Sequence, residues 1–347
     1  MPLLEVKDLH TYFKTRKGVV KAVNGVSFVL HEGKTLGLVG ESGSGKSISA
    51  MSILRLLDDN GYIEKGEILF TENGETVDLV KLPQDKMYAI RGDRISVIFQ
   101  EPMTALNPVF TIGKQLSEPF LIHRGMSKKQ AMQEAEKMLW EVRIPNQKQV
   151  LKSYAHQLSG GMRQRVMIAM ALACQPKMII ADEPTTALDV TIQAQILRLM
   201  RDLQREKGTA ILFITHDLGV IREMADDVAV MYCGQIVEYV SVERVFDGDC
   251  AFSHPYTEGL LSSAPDLKHI ERRLEPIVGN VPHPLHLPKG CRFAPRCKYC
   301  TKKCIEEMPP LFETSPNTQG HRIRCFYPEK RERRSAEHAK LVVRHSS

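Results

Sequence analysis

Apolar residues recur along this chain in two rhythms. Short solid runs are strand-sized and read as buried on both faces: Leu36-Gly37-Leu38-Val39, Ile95-Ser96-Val97-Ile98-Phe99, Met178-Ile179-Ile180-Ala181 and Ala210-Ile211-Leu212-Phe213-Ile214. Between them the period lengthens. Residues 113–152 read as helical, with Ala131, Ala135, Met138, Leu139 and Val142 at near-helical spacing among Lys, Gln and Glu; that stripe reads as packing. Val166–Ala173 predicts another, largely buried helix. The first 34 residues differ, with Leu3–Leu9, Val19–Val23 and Val26–Leu30 as strands and Gly18 and His31–Gly33 as turns. Apolar strands alternating with helices predict an α/β fold with a mostly parallel sheet flanked by helices.

Several of these strands run straight into polar residues. Thr35–Val39 opens into Gly40-Glu41-Ser42-Gly43-Ser44-Gly45-Lys46-Ser47, a G-x-x-x-x-G-K-S pattern, and Ile48 continues into a helix. Such glycines let successive backbone N–H groups face phosphate oxygens. Lys46 is placed to reach β- and γ-phosphates, Ser47 offers a hydroxyl to Mg2+, and the helix N-terminus favours the same anion. A second strand delivers Asp182 and Glu183, the first suited to hold Mg2+ and the second to polarise an attacking water. Gln100 and His216 also follow strands, where sites of α/β proteins assemble. Ser159 is a helix cap followed by Gly160 and Gly161, whose amides are open to an anion. Taken singly, each has a plain reading: a glycine turn, an ordinary strand exit, a structural histidine, a capped helix. Tyr12, just after the first predicted strand, is an aromatic able to stack on a base or an ordinary edge-strand tyrosine.

Composition narrows the setting. The 347 residues suffice for one large domain and a smaller one, with 43% hydrophobic and 25% charged residues and a net charge of +6 that does not by itself imply nucleic acid. Apolar runs stay far short of the roughly 20 residues of a membrane span, and the opening Met1–Lys7 lacks the apolar core of a signal peptide, so the chain is expected in the cytoplasm. Of eight cysteines, Cys174, Cys233 and Cys250 are scattered and read as packing residues. The other five, Cys291, Cys297, Cys300, Cys304 and Cys325, cluster, which in a reducing compartment suggests metal before disulfide.

In combination and in this order, the motifs over residues 1–250 resemble the nucleotide-binding subunit of an ABC transporter. The resemblance makes Gly40–Ser47 the Walker A loop, Gln100 the Q-loop residue, Leu158–Met162 the signature, Asp182 and Glu183 the Walker B acids, Ala187-Leu188-Asp189 the D-loop and His216 the switch histidine. It implies a P-loop ABC-type ATPase with an antiparallel β subdomain and a helical subdomain at about residues 101–175. It further implies that Tyr12, Gly40, Glu41, Ser42, Gly43, Ser44, Gly45, Lys46, Ser47, Ile48 and Gln100 bind ATP, joined in trans by Ser159, Gly160, Gly161 and Asp189 of a facing cassette. Mg2+ is expected on Ser47, Gln100 and Asp182, and catalysis on Glu183, His216 and Lys46. Met162 departs from the glutamine that usually ends the signature; the Ser159 hydroxyl and the glycine amides matter more there, so activity is expected to persist.

Beyond residue 250 come His254-Pro255-Tyr256-Thr257, a proline-rich stretch with Pro276, Pro282, Pro284 and Pro288, and Gly290-Cys291-Arg292-Phe293-Ala294-Pro295-Arg296-Cys297. With Gly320-His321 ahead of Cys325, this resembles the small Cys-rich carboxy-terminal module of the oligopeptide, dipeptide and nickel branch of importers, expected over residues 251–328 with a basic tail at 329–347. The resemblance implies a 4Fe-4S cluster on Cys291, Cys297, Cys304 and Cys325. Cys300 is extra and makes a Cys297-x-x-Cys300 pair, a spacing also typical of structural Zn2+. Lys330, Arg331, Arg333 and Arg334 read as a solvated end, or as a patch for anionic headgroups.

The expected role is ATP hydrolysis energising a bacterial importer of di- or oligopeptides, at the cytoplasmic face of the membrane. The expected partners are a second, related ATPase subunit, two integral permease subunits and, indirectly, an extracellular solute-binding protein, with no nucleic acid. A nickel or metallophore importer is the alternative within the class. A soluble ABC ATPase acting on nucleic acid or ribosomes, and a non-enzymatic metal-binding regulator, are alternatives outside it.

Overall fold

The computed structural model describes residues 1–186, 188–246, 250–263, 276–314 and 320–329, with Pro102 and Met103 described by backbone alone. Ala187 and the basic run Lys330–Arg334 lie outside the described residues. In chain order the strands are β1 (Pro2–Thr15), β2 (Gly18–His31), β3 (Thr35–Val39), β4 (Gly61–Glu72), β5 (Glu75–Asp78) and β6 (Ile95–Ile98). There follow β7 (Met178–Asp182), β8 (Ala210–Thr215), β9 (Asp227–Tyr232), β10 (Gln235–Ser241), β11 (Phe312–Glu313) and β12 (Arg322–Ile323). No helix among the described residues is long and apolar enough to cross a membrane.

The chain divides into two compact units. The first holds Met1–Leu4, Val29–Thr35 and Leu69–Ile214. Its strands β6, β7 and β8 run parallel, with Ile98 opposite Ala181 and Asp182 opposite Ile214. Buried on both faces, Met178–Asp182 and Ala210–Thr215 need no polar alternation, which is why they read as solid apolar runs. The end of β4 and β5 form an antiparallel hairpin here, Leu69 opposite Asp78. Helices Ile112–Arg124, Lys128–Glu141, Gln147–Lys152 and Gly160–Leu172 pack together in this unit. Ala131, Ala135, Met138 and Leu139 are buried on the second of these, as the period requires, and Ser127 with Gln130 closes a capping box at its start.

The second unit holds Glu5–Phe28, Leu36–Ile68 and the chain from Thr215 onward. Here β3 pairs parallel with β9, which pairs antiparallel with β10. β10 is followed by β12, and β12 by β11, all antiparallel. The 237–241 segment of the cassette and the 312–323 hairpin are thus stitched by main-chain bonds: Glu238 faces Ile323, which faces Phe312. Two details differ from the sequence reading. Val19–Val23 and Val26–Leu30 belong to one continuous strand, β2, because Gly25 takes a left-handed backbone (φ 79°) without breaking the strand. Tyr12 lies inside β1 rather than after it.

Candidate functional site

In the second unit, β3 ends at Val39 and the loop Gly40–Gly45 leads into the helix Lys46–Leu54. Gly45 sits at φ 103°, and a Cβ there would stand 2.5 Å from the Ala22 carbonyl oxygen, so only glycine fits. No side chain caps this helix, whose N-terminal dipole favours an anion. Lys46 is 5% exposed and its ammonium donates to the carbonyls of Gly40 (2.8 Å) and Glu41 (3.0 Å), folding back over the loop. The Ser44 hydroxyl is buried and has no hydrogen-bond partner. A buried orphan hydroxyl in a loop of open amides fits a bound phosphate oxygen. Tyr12 donates its hydroxyl to Asn24 (3.0 Å) and meets Tyr62 edge to face; partial burial pushes its phenol up. His216 is exposed at the end of β8, and the next residue, Asp217, caps the helix Leu218–Met224 by accepting from Gly219 (2.7 Å).

In the first unit, β7 carries Asp182 (6% exposed) to its carboxyl end and Glu183 just past it. Glu183 holds a left-handed backbone at φ 45°, costly for a residue with a side chain and fixed here by its N–H donating to the Ile214 carbonyl (2.9 Å). The turn aims its carboxylate at two donors: the Gln100 amide (3.1 Å) and the Thr186 hydroxyl (2.9 Å). The structure thus brings together Gln100 and Glu183, which lie 83 residues apart in sequence. Ser159 caps the helix Gly160–Leu172 by accepting from the Met162 amide (3.3 Å), and Asp189 caps Val190–Lys207 by accepting from Ile192 (2.9 Å). The two caps are neighbours, because a Cβ on Gly161 would stand 3.0 Å from Ile192. The Met162 side chain plays no part in that cap, and its amide is the bonded group.

The carboxy-terminal segment of the second unit contains the residues that sequence reasoning left out. Glu41 was assigned to the phosphate cradle, yet its amide donates to the Tyr256 hydroxyl (2.8 Å) and its carboxylate receives both arms of Arg296 (2.6 and 3.0 Å). That bond holds the guanidinium above its ordinary pKa. Arg292, whose pKa burial lowers to about 10, donates to the Cys233 carbonyl. Glu238, buried on β10, accepts from the His254 amide (2.9 Å) and pairs with His321 Nε2 (2.9 Å), so one carboxylate ties both histidine motifs to the sheet. The motifs themselves were the available signal; the cysteines between them drew the reading away from the arginines. The proline-rich stretch forms neither helix nor strand over residues 276–288, but it is more than a linker: the Ile277 and Val278 carbonyls accept from Arg296 (3.2 and 3.3 Å).

The expected metal is tested by the same segment. Among the described residues, no group of three or more His, Cys, Asp or Glu side chains is arranged to hold a metal ion. Cys291, Cys297, Cys304 and Cys325 do line one cavity, with Phe293, Tyr299, Phe326 and Tyr327, whereas Cys300 does not line it. Gly290 makes this possible: a Cβ there would stand 2.5 Å from the Ile305 carbonyl oxygen, and the close approach sets Cys291 N–H on the Cys304 carbonyl (2.8 Å). Backbone amides face the sulfurs, from Phe293 and Ala294 to Cys291, from Tyr299 to Cys297 and from Tyr327 to Cys325 (3.4 Å). Burial nonetheless pushes the Cys297 thiol up to about 12 and raises Cys291. Four sulfurs therefore share one cavity, with backbone amides aimed at three of them, though no metal-holding group is arranged among the described residues.

Comparison with known proteins places these features. A model of the ABC transporter family matches residues 23–186, and one of the oligopeptide/dipeptide transporter C-terminal region matches residues 237–304. Among solved structures, the dimeric ATP-binding cassette MJ0796 in a post-hydrolysis state with ADP and Pi covers 69% of this chain and 98% of its own, at TM-score 0.61 and 29% identity. The fold is that of an ABC-type P-loop ATPase. The oligopeptide transport ATP-binding protein AppD of Bacillus subtilis is 51% identical over 94% of this chain and 97% of its own length. OppD of Haemophilus influenzae is 52% identical over 87% and 91%, and OppD of Salmonella typhimurium 49% over 94% of each. The chain belongs to this family of oligopeptide transport ATP-binding proteins. Membership sets aside the readings as a nucleic-acid or ribosome ATPase and as a non-enzymatic metal module.

Proposed function

We propose that this chain hydrolyses ATP to energise a bacterial importer of di- or oligopeptides, bound at the cytoplasmic face of the membrane to two integral permease subunits and paired with a second, related cassette. A peptide cargo is favoured over nickel or a metallophore by the names of the relatives, which are those of oligopeptide transport proteins. The domain plan we propose is a cassette over residues 1–250, with a helical part at about 101–175, a Cys-rich module over 251–328 and a basic tail at 329–347.

In this reading Tyr12 stacks on the adenine, and the loop Gly40–Ile48, through amides other than that of Glu41, and the ammonium of Lys46 bind and orient the phosphates. Bound Mg2+, for which Ser47, Gln100 and Asp182 offer hard oxygen donors, offsets phosphate charge. Glu183 orients the attacking water, and Gln100 and Thr186 hold its carboxylate in place. His216 contacts the γ-phosphate. Ser159, Gly160, Gly161 and Asp189 act in trans on the nucleotide of the facing cassette, which makes hydrolysis depend on pairing. Cys291, Cys297, Cys304 and Cys325 hold a 4Fe-4S cluster that cross-links a segment poor in apolar core, a structural role.

The observation that carries the catalytic reading is the strained Glu183, at φ 45° past β7 with its carboxylate fixed by Gln100 and Thr186. Glu183→Gln, in the chain assembled with its partner cassette and permease, is expected to keep ATP binding and lower turnover at least hundredfold, about 2.7 kcal/mol of barrier. Phosphate release at the unaltered rate overturns the assignment.

A further inference from the structure

The phosphate loop contains an acid, Glu41, beside amides and a lysine assembled for a polyanion. An unneutralised carboxylate there opposes the ligand. Arg296 meets it with a two-armed bond, 2.6 and 3.0 Å, from a side chain only 4% exposed. Its remaining donors go to the Ile277 and Val278 carbonyls and the Tyr232 hydroxyl (3.4 Å), so the guanidinium has no freedom to swing away. The Glu41 amide is held by the buried Tyr256 hydroxyl, and Phe293 packs against both Tyr232 and Tyr256. On the same side, Gly234 N–H donates to the Ser44 carbonyl (2.7 Å), and Arg292 holds the neighbouring Cys233 carbonyl.

We propose that Arg296 and Tyr256 are positioning residues for nucleotide binding: the carboxy-terminal module neutralises and orients Glu41 and thereby sets the affinity of the phosphate loop for MgATP. This rests on the reading of the chain as an ATPase. Neither residue touches the nucleotide; both act through Glu41. The module is then a working part of the nucleotide site as well as an appendix to the cassette.

The test is calorimetric titration of the full chain with MgATP. Arg296→Ala is expected to weaken binding about tenfold, the loss of one charge-assisted pair. Adding Glu41→Gln removes the exposed charge, and the double variant is expected to return to within about threefold of the unaltered chain. Tyr256→Phe keeps the ring packing, loses the acceptor for the Glu41 amide, and is expected to weaken binding about threefold. If Arg296→Ala binds as tightly as the unaltered chain, or if Glu41→Gln fails to restore it, the inference falls, because lost packing is not repaired by removing a charge. Should Arg296→Ala fail to fold, Arg296→Lys, which keeps a charge but loses the two-armed geometry, is judged by the same two criteria. An unaltered chain that does not bind MgATP at all overturns the ATPase reading instead.

Discussion

The phosphate loop and the cysteine cavity are both cradles of the second unit, built by opposite means. The loop is a run of consecutive residues, Gly40–Ser47, built mostly of backbone: a helix start with no side-chain cap and glycines that let the chain curl. The cavity draws Cys291, Cys297, Cys304 and Cys325 from separate turns, and side-chain sulfurs and aromatic rings line it. A backbone cradle tolerates changes at its variable positions but fails where geometry forbids a Cβ. The loop also borrows support from the module that carries the cavity, since Arg292 and Arg296 lie between Cys291 and Cys297.

The sharpest probe of this contrast is Lys46, the loop's side-chain exception. Lys46→Ala is expected to weaken MgATP binding at least hundredfold, about 2.7 kcal/mol, measured by titration of the full chain. Binding kept within tenfold shows that amides alone suffice, and widens the contrast. For the cavity, the proposed cluster predicts about four irons and about four acid-labile sulfides per anaerobically purified chain, most of them lost in Cys297→Ser. Cys300→Ser is expected to retain them, and equal loss in both variants breaks the assignment of the four ligands. A smaller effect is expected at Ser44→Ala: about threefold weaker MgATP binding, because the orphan hydroxyl has a partner only when phosphate is bound.

The smallest effect concerns Cys233, behind the loop. Burial pushes its thiol up to about 11 from an ordinary value near 9. Below pH 9 both folded and unfolded thiols are protonated and the contribution is complete. Between about 9 and 11 the unfolded chain ionises first, so stability falls as pH rises. Thermal melts at pH 8 and pH 10.5 are expected to differ by a few degrees less in Cys233→Ala than in the unaltered chain. An identical pH dependence in both assigns the loss to other groups.

Much of the fold was legible because its signals are local. The solid runs at Met178–Asp182 and Ala210–Thr215 could only be strands buried on both faces, and the Ala131–Leu139 stripe could only be a packed helix face. Val19–Val23 and Val26–Leu30 read as separate strands because Asn24 and Gly25 interrupt the apolar run; pairing within the sheet keeps them in one strand, β2. Glu41 shows the limit of local spacing. Position within G-x-x-x-x-G-K-S predicts a cradle residue, but its partners come from 215 and 255 residues further along the chain.

By itself the sequence determined the family of this protein, because its strand–loop–helix motifs are local in the chain, whereas the set of four cysteines as ligands came from the family resemblance alone. The tertiary structure alone decided that Gln100 holds Glu183, that Cys300 stands outside the cavity and that Arg296 answers Glu41. Each of those depends on long-range packing that closes large loops of chain. No local pattern encodes which distant side chain will arrive, because that is settled by the burial of everything in between.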